Sequence, residues 1–148
     1  MPNIYESMVI DAPVDAVWAR VRDFGAIHQW VAEAAGCALD DGETAPRTGC
    51  VRRIDFPGGA FVRERLEALS DVERSLSYSM AESNIPPAMA MRGYVGTIRL
   101  FEITDDGRTF VAWSARFDVE SGADAKAIAE GITGSYKSML GGLKKSFL

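Results

Sequence analysis

Arg52 and Glu64 are the residues whose types and spacing could do chemistry, because each sits on an otherwise apolar face of a predicted β-hairpin between Gly49 and Ala68. An inward guanidinium and carboxylate could orient a polar group of a bound molecule, stabilise an oxyanion or relay a proton. In the first arm Cys50, Arg52, Ile54 and Phe56 alternate with Val51, Arg53 and Asp55; in the second, Val62, Glu64, Leu66 and Ala68 alternate with Phe61, Arg63, Arg65 and Glu67. A three-residue loop at Pro57-Gly58-Gly59 pairs Phe56 with Ala60, Ile54 with Val62 and Arg52 with Glu64. A two-residue Gly-Gly turn would instead set Arg53 opposite Glu64. The first register is preferred because it gathers more apolar side chains on one face; the plainer alternative leaves both charges on the strand surface.

Burial favours the neutral carboxylic acid and a neighbouring guanidinium favours the carboxylate, so a close pair is expected to stay ionised. A paired buried carboxylate is a poor general base, which favours a ligand-orienting or structural role over proton transfer. Leu76, Tyr78 and Met80 share one strand face, so Tyr78 points inward with a hydroxyl that needs a partner. Aromatic core packing is the plainer reading of that residue. Asn84 and Tyr94, near strand ends, complete the polar minority expected in an apolar interior.

Other chemistries have little support. His28 is the only histidine, and Cys37 and Cys50 have no compact Cys-x-x-Cys spacing, so a metal centre is not expected, although a scattered carboxylate site stays open. His28 is read as a helix-surface residue or a donor at a pocket mouth. No Gly-x-Ser-x-Gly elbow supports a serine hydrolase, no phosphate loop follows any strand, and no cofactor is implied. The formal charge of −5, without a basic run, gives nucleic acid no electrostatic footprint.

The elements that must position these residues follow from periodicity and turn chemistry. The 148 residues, 47% apolar and 25% charged, are expected to form one domain over 1–148 with a core large enough for an internal cavity. Ile4 to Asp11 reads as a strand; Pro13 opens a helix capped by Asp11 or Ala12, with Val14, Val17, Trp18 and Val21 on one side. A short helix follows, roughly Ile27 to Glu33. Six strands are then expected: Gly36 to Asp40, Thr48 to Phe56, Ala60 to Leu69, Arg74 to Glu82, Arg92 to Thr104 and Thr109 to Glu120. The Asp105-Asp106-Gly107 turn between the last two makes the sheet mainly antiparallel.

Ser121 and Asp124 match a helix start, and Ile128, Ile132, Tyr136, Met139, Leu143 and Phe147 then form one stripe of a helix of about 39 Å if it runs from Gly122 to Phe147. Gly131, Gly134, Gly141 and Gly142 each cost it roughly 1 kcal/mol relative to alanine. Close packing on a curved sheet or a mobile lid would explain them. The apolar connection from Ser83 to Met91, stiffened by Pro86 and Pro87, is either a pocket entrance shared with the Pro57 loop or a loop packed on the last helix.

This order, together with Asp11-Ala12-Pro13-Val14-Asp15-Ala16-Val17-Trp18, Asp23-Phe24-Gly25, Trp30, Gly49-Cys50-Val51-Arg52, Glu64-Arg65-Leu66 and the late Trp113 and Phe117, resembles the START-like (SRPBCC) superfamily, which includes birch pollen allergen and the polyketide cyclase/dehydrase proteins. The resemblance implies an α+β helix-grip fold: a seven-stranded curved antiparallel sheet, two short helices and a long C-terminal helix over a cavity. Arg52, Glu64, Tyr78, Met80, Tyr94, Trp113, Ile132 and Tyr136 would then bind a small hydrophobic molecule, aromatic or polycyclic. In the alternative, a cyclase would fold a poly-β-carbonyl chain for aldol closure and dehydration, with Arg52 on an enolate and Glu64 or Tyr78 relaying protons. A stress-response or interaction module without a ligand would instead fill its own pocket. The N-terminus runs straight into a strand-like segment and nothing resembles a membrane span, so reduced thiols and a cytoplasmic location are expected. Monomer and homodimer both stay open.

Overall fold

The structure, a computed structural model, describes residues 3–148. Seven strands form one antiparallel sheet: β1 (Asn3–Ile10), β2 (Gly36–Leu39), β3 (Val51–Asp55), β4 (Phe61–Ser70), β5 (Ser75–Ser83), β6 (Met91–Glu102) and β7 (Thr109–Val119), in the spatial order β1-β7-β6-β5-β4-β3-β2. Helix α1 (Val14–Val21) and a 3-10 segment (Phe24–Gln29) follow β1, a one-turn helix α2 (Pro86–Met89) joins β5 to β6, and α3 (Ala125–Lys145) closes the described chain. This is an α+β helix-grip arrangement, as the element order predicted. No described helix is long and apolar enough to cross a membrane.

The β3–β4 register is the one favoured by the three-residue turn. Arg52 pairs with Glu64 and Ile54 with Val62, and Phe56 N–H donates to the Ala60 carbonyl at 2.8 Å. Gly58 and Gly59 adopt φ of 81° and 84°, left-handed values that favour glycine. At the other end of β3, Gly49 has φ 94°, so the regular strand begins at Val51 rather than Thr48.

Helix ends differ from the sequence expectation where backbone geometry decides the cap. Pro13 itself is the extended N-cap of α1, and its carbonyl accepts from Val17 N–H; neither Asp11 nor Ala12 caps the helix. The Ile27–Glu33 helix is replaced by the earlier 3-10 segment, after which Trp30 and Val31 turn into the core. Gly122 has φ 86° and cannot start α3, whereas Asp124 caps it by accepting from Ala127 N–H at 3.0 Å. The Ser83–Met91 connection contains α2, which periodicity could not show in four residues.

Helix α1 is tied to both sides of the molecule. Asp71, in the β4–β5 turn, accepts from Trp18 Nε1 and Arg22 Nε, each at 2.8 Å. Arg20 Nη1 donates to the Ser146 carbonyl at 2.8 Å, and its guanidinium lies 4.0 Å from the Phe147 ring centre. The start of the chain therefore holds the end of α3 in place.

Three of the four α3 glycines are not close-packed. A methyl group at Gly131, Gly134 or Gly141 would meet no atom within 4 Å, whereas at Gly142 it would lie 2.2 Å from the Trp30 carbonyl oxygen. Gly96, opposite Tyr78 across β5 and β6, is equally constrained: a methyl group there would lie 2.4 Å from the buried phenol ring. Alanine is thus expected to act with opposite signs. Gly134→Ala and Gly141→Ala should stabilise by up to about 1 kcal/mol, while Gly142→Ala and Gly96→Ala should destabilise by about 1–3 kcal/mol, as read from urea unfolding midpoints.

Candidate functional site

Strand alternation sends Val62, Glu64 and Leu66 of β4, Leu76, Tyr78 and Met80 of β5, and Tyr94, Gly96 and Ile98 of β6 to the concave face that α3 covers. Two irregularities then change which residues follow. On β6, Val95 pairs with Arg116 but Arg92 with Asp118, so Gly93 and Tyr94 together oppose Phe117. This bulge, with Gly93 at φ 61°, turns Met91 towards the interior and sends Arg92 outward to Glu120. On β5 the shift around Ala81 likewise brings Ser83 to the interior and lets Glu82 meet Arg63 outside.

Between sheet, α2 and α3 lies a cavity of about 450 Å³. All eight residues expected at the site line it: Arg52, Glu64, Tyr78, Met80, Tyr94, Trp113, Ile132 and Tyr136. Most of the remaining wall is apolar, including Ile54, Val62, Ile85, Met91 and Ile128. An adjoining cavity of about 410 Å³, also lined by α3, shares Phe56, Gly131, Ser135 and Met139 with it. The bare Gly131 thus lies where the two spaces meet.

Asn84 does not belong to the wall. Its Oδ1 accepts from Phe61 N–H at 2.8 Å and its Nδ2 donates to the Gly59 carbonyl at 2.9 Å, so it ties the Pro57 turn to the end of β5. His28 is exposed on the 3-10 segment and lies outside the cavity. Ile85, Pro87 and Ala88 form part of the wall itself.

The polar groups of the cavity form two adjoining clusters. In the first, Arg52 Nε donates to Glu64 Oε1 at 2.9 Å and Nη2 approaches the same oxygen at 2.7 Å. Only 3% of Arg52 and 7% of Glu64 is exposed. Nη1 donates to the Phe24 carbonyl at 3.3 Å, and the guanidinium carbon lies 4.0 Å from the Phe24 ring centre and 5.3 Å from that of Tyr78. Phe24 is the supporting residue that sequence reasoning missed, having entered only as part of Asp23-Phe24-Gly25. Breaking such a buried pair by removing one partner typically costs about 3–5 kcal/mol, whereas replacing both partners with apolar residues is often neutral. Fold stability alone therefore gives no reason to keep it.

In the second cluster, Tyr78, Tyr94 and Tyr136 bring their hydroxyls together. Tyr78 Oη lies 3.0 Å from Tyr136 Oη and 3.3 Å from Tyr94 Oη, Tyr94 and Tyr136 are hydrogen-bonded to each other, and Trp113 Nε1 donates to Tyr78 Oη at 3.0 Å. The Trp113 and Tyr136 rings stack with centres 4.2 Å apart. Burial, reinforced by the Glu64 charge, pushes the Tyr78 phenol up to about 12 against the opposing pull of its hydrogen bonds and of Arg52. Burial also holds Tyr94 and Tyr136 well above the ordinary phenol value, with Tyr78 adding to the effect. All three are neutral at physiological pH. Burial raises the Cys37 thiol as well, and neither it nor Cys50 is in a disulfide. Among the described residues no cluster of histidine, cysteine and carboxylate side chains could hold a metal ion.

A curved sheet gripping a long helix around an apolar cavity with a few convergent polar groups defines a helix-grip protein of the START-like class. The chain belongs to the polyketide cyclase / dehydrase and lipid transport family, whose sequence profile matches residues 1–147. Among solved structures it is similar to a Nitrosospira multiformis protein at 32% identity, with TM-score 0.85, covering 99% of this chain and 97% of that one. It is also similar to XoxI of Bacillus cereus (27% identity, TM-score 0.83, 99% and 96% covered) and to an uncharacterised Bacillus thuringiensis protein (25%, 0.84, 99% and 98%). Comparison with curated proteins returns no match.

The tyrosine cluster predicts an alkaline instability. A folded-state phenol value above the unfolded value of 10.0 means that the folded protein keeps protons that the unfolded chain releases. The associated stability is whole below pH 10 and is lost as the pH climbs towards about 12. Unfolding free energy measured by urea titration from pH 8 to 11.5 should fall above pH 10, and Tyr94→Phe/Tyr136→Phe should reduce that fall.

Proposed function

We propose that the protein binds a small, mostly apolar molecule inside the cavity, with the Arg52–Glu64 pair and the tyrosine cluster orienting its polar group. The observation that carries this reading is the coexistence of a largely apolar space of about 450 Å³ with polar side chains gathered in its wall. The space would accept a molecule of several fused rings or a short acyl chain. Membership of a family described by both cyclase and lipid-transport activities supports a hydrophobic ligand at this coarse level. Binding requires only shape and a satisfied polar contact.

Catalysis of ring closure is the weaker reading. It asks Glu64 or Tyr78 to relay protons, yet Glu64 is ion-paired to Arg52 and Tyr78 releases its proton only near pH 12. A group far from the operating pH is a poor acid–base catalyst. Binding makes no such demand.

Titration with the fluorescent apolar probe N-phenyl-1-naphthylamine tests the proposal. Saturable binding of one probe per chain is expected, and Ile132→Trp, which extends a larger ring from α3 into the cavity, should weaken it at least tenfold while leaving the circular dichroism spectrum intact. Equal binding to wild type and variant would place the probe elsewhere and contradict the reading.

A further inference from the structure

Hydrogen-bond accounting in the tyrosine cluster narrows the chemistry of the ligand. The three hydroxyls carry three protons, and the cluster contains three hydroxyl–hydroxyl contacts. Closing all three contacts uses every proton, each tyrosine donating to the next around the ring. Tyr78 Oη also accepts from Trp113 Nε1. A phenol oxygen has two acceptor positions, so Tyr78 is saturated: it accepts one hydroxyl and one indole N–H and donates its own proton. Tyr94 and Tyr136 each accept once and donate once, and each keeps one acceptor position with no donor to spare.

The neighbouring ion pair keeps capacity of both kinds. Both Arg52 contacts fall on Oε1 of Glu64, so the carboxylate has acceptor capacity left on its other oxygen. Arg52 is the only cationic donor among the described residues of the cavity wall, and three of its five N–H groups are engaged, two by Glu64 and one by the Phe24 carbonyl, which leaves one N–H on each of Nη1 and Nη2. Its plane is packed against the Phe24 and Tyr78 rings. At the tyrosine ring the uncommitted capacity is therefore acceptor only, on two neutral phenols, while the ion pair keeps the second Glu64 oxygen and two guanidinium N–H groups.

We infer that the ligand is an apolar molecule carrying a hydroxyl or N–H donor, received by Tyr94, Tyr136 or Glu64, rather than one whose polar group only accepts. A hydroxyl can add to the ring of tyrosines without breaking any of its bonds. A carbonyl at the tyrosines must take a proton from the ring and leave one of its oxygens short of a donor; placed instead at Arg52, it leaves the acceptor positions of Tyr94, Tyr136 and Glu64 unfilled. This ligand class rests on the binding function proposed above.

Three compounds of one skeleton test it: fluorene, 9-fluorenol and 9-fluorenone, which carry no polar group, a donor-acceptor hydroxyl and an acceptor-only carbonyl. Dissociation constants measured by displacement of N-phenyl-1-naphthylamine should be at least tenfold lower for fluorenol than for fluorenone in the wild type. In Tyr94→Phe/Tyr136→Phe the ratio should shrink to threefold or less. Comparing ratios cancels the different hydration of alcohol and ketone. Fluorenone binding as tightly as fluorenol in the wild type, or a ratio unchanged in the variant, would overturn the ligand class while fluorene binding upholds the cavity. Failure of all three to bind the folded wild-type protein would overturn the binding function itself, and the ligand class with it.

Discussion

Two opposite charges withdrawn from water into an apolar cavity are the constraint on which the site depends. Neither is tolerable there alone, so Arg52 and Glu64 must be directly opposite each other, and that requirement falls on the β3–β4 register. The register in turn depends on three residues, Pro57, Gly58 and Gly59, and on Asn84, which clasps Gly59 and Phe61 from the end of β5. Phe24 completes the arrangement by offering its carbonyl and its ring to the guanidinium. The local turn chemistry, the strand pairing and the placement of the 3-10 segment thus serve one electrostatic contact.

The tyrosine cluster meets the same demand with neutral groups. Three phenols and one indole satisfy one another where water is scarce, and burial keeps the phenols protonated. Room for them is made by glycine. Gly96 leaves space for the Tyr78 ring, and the bulge at Gly93 carries Tyr94 inward while turning the charge of Arg92 out to solvent. On α3, Gly131 leaves the wall thin where the cavity meets its neighbour. Space and polarity in the cavity are therefore set by backbone features as much as by side chains.

Much of this was legible in the sequence because period-two alternation assigns strand faces directly. The Arg52–Glu64 pairing follows from alternation plus the length of one turn, and Tyr78 from the apolar face it shares with Leu76 and Met80, whereas Tyr94 is suggested only by its place near a strand end and Trp113 by the family resemblance. What escaped depended on information that alternation does not hold. Bulges reset the phase, so Met91 and Ser83 face inward where simple counting would place Arg92 and Glu82. Phe24 acts partly through its backbone carbonyl, which no side-chain pattern reveals. The position of Asn84 near a strand end suggests a pocket residue, but its amide is taken up by the adjacent turn. The start of α3 is ambiguous in sequence because Ser121 and Asp124 together match a helix start, and only the left-handed backbone at Gly122 assigns the cap to Asp124.

The most direct test of the account is a crystal structure of the protein with 9-fluorenol. It predicts the ring system in the cavity between Ile132 and the sheet, with the hydroxyl within about 3 Å of Tyr94, Tyr136 or Glu64. A cavity filled by its own side chains, or a ligand seated only on the outer surface, would contradict it.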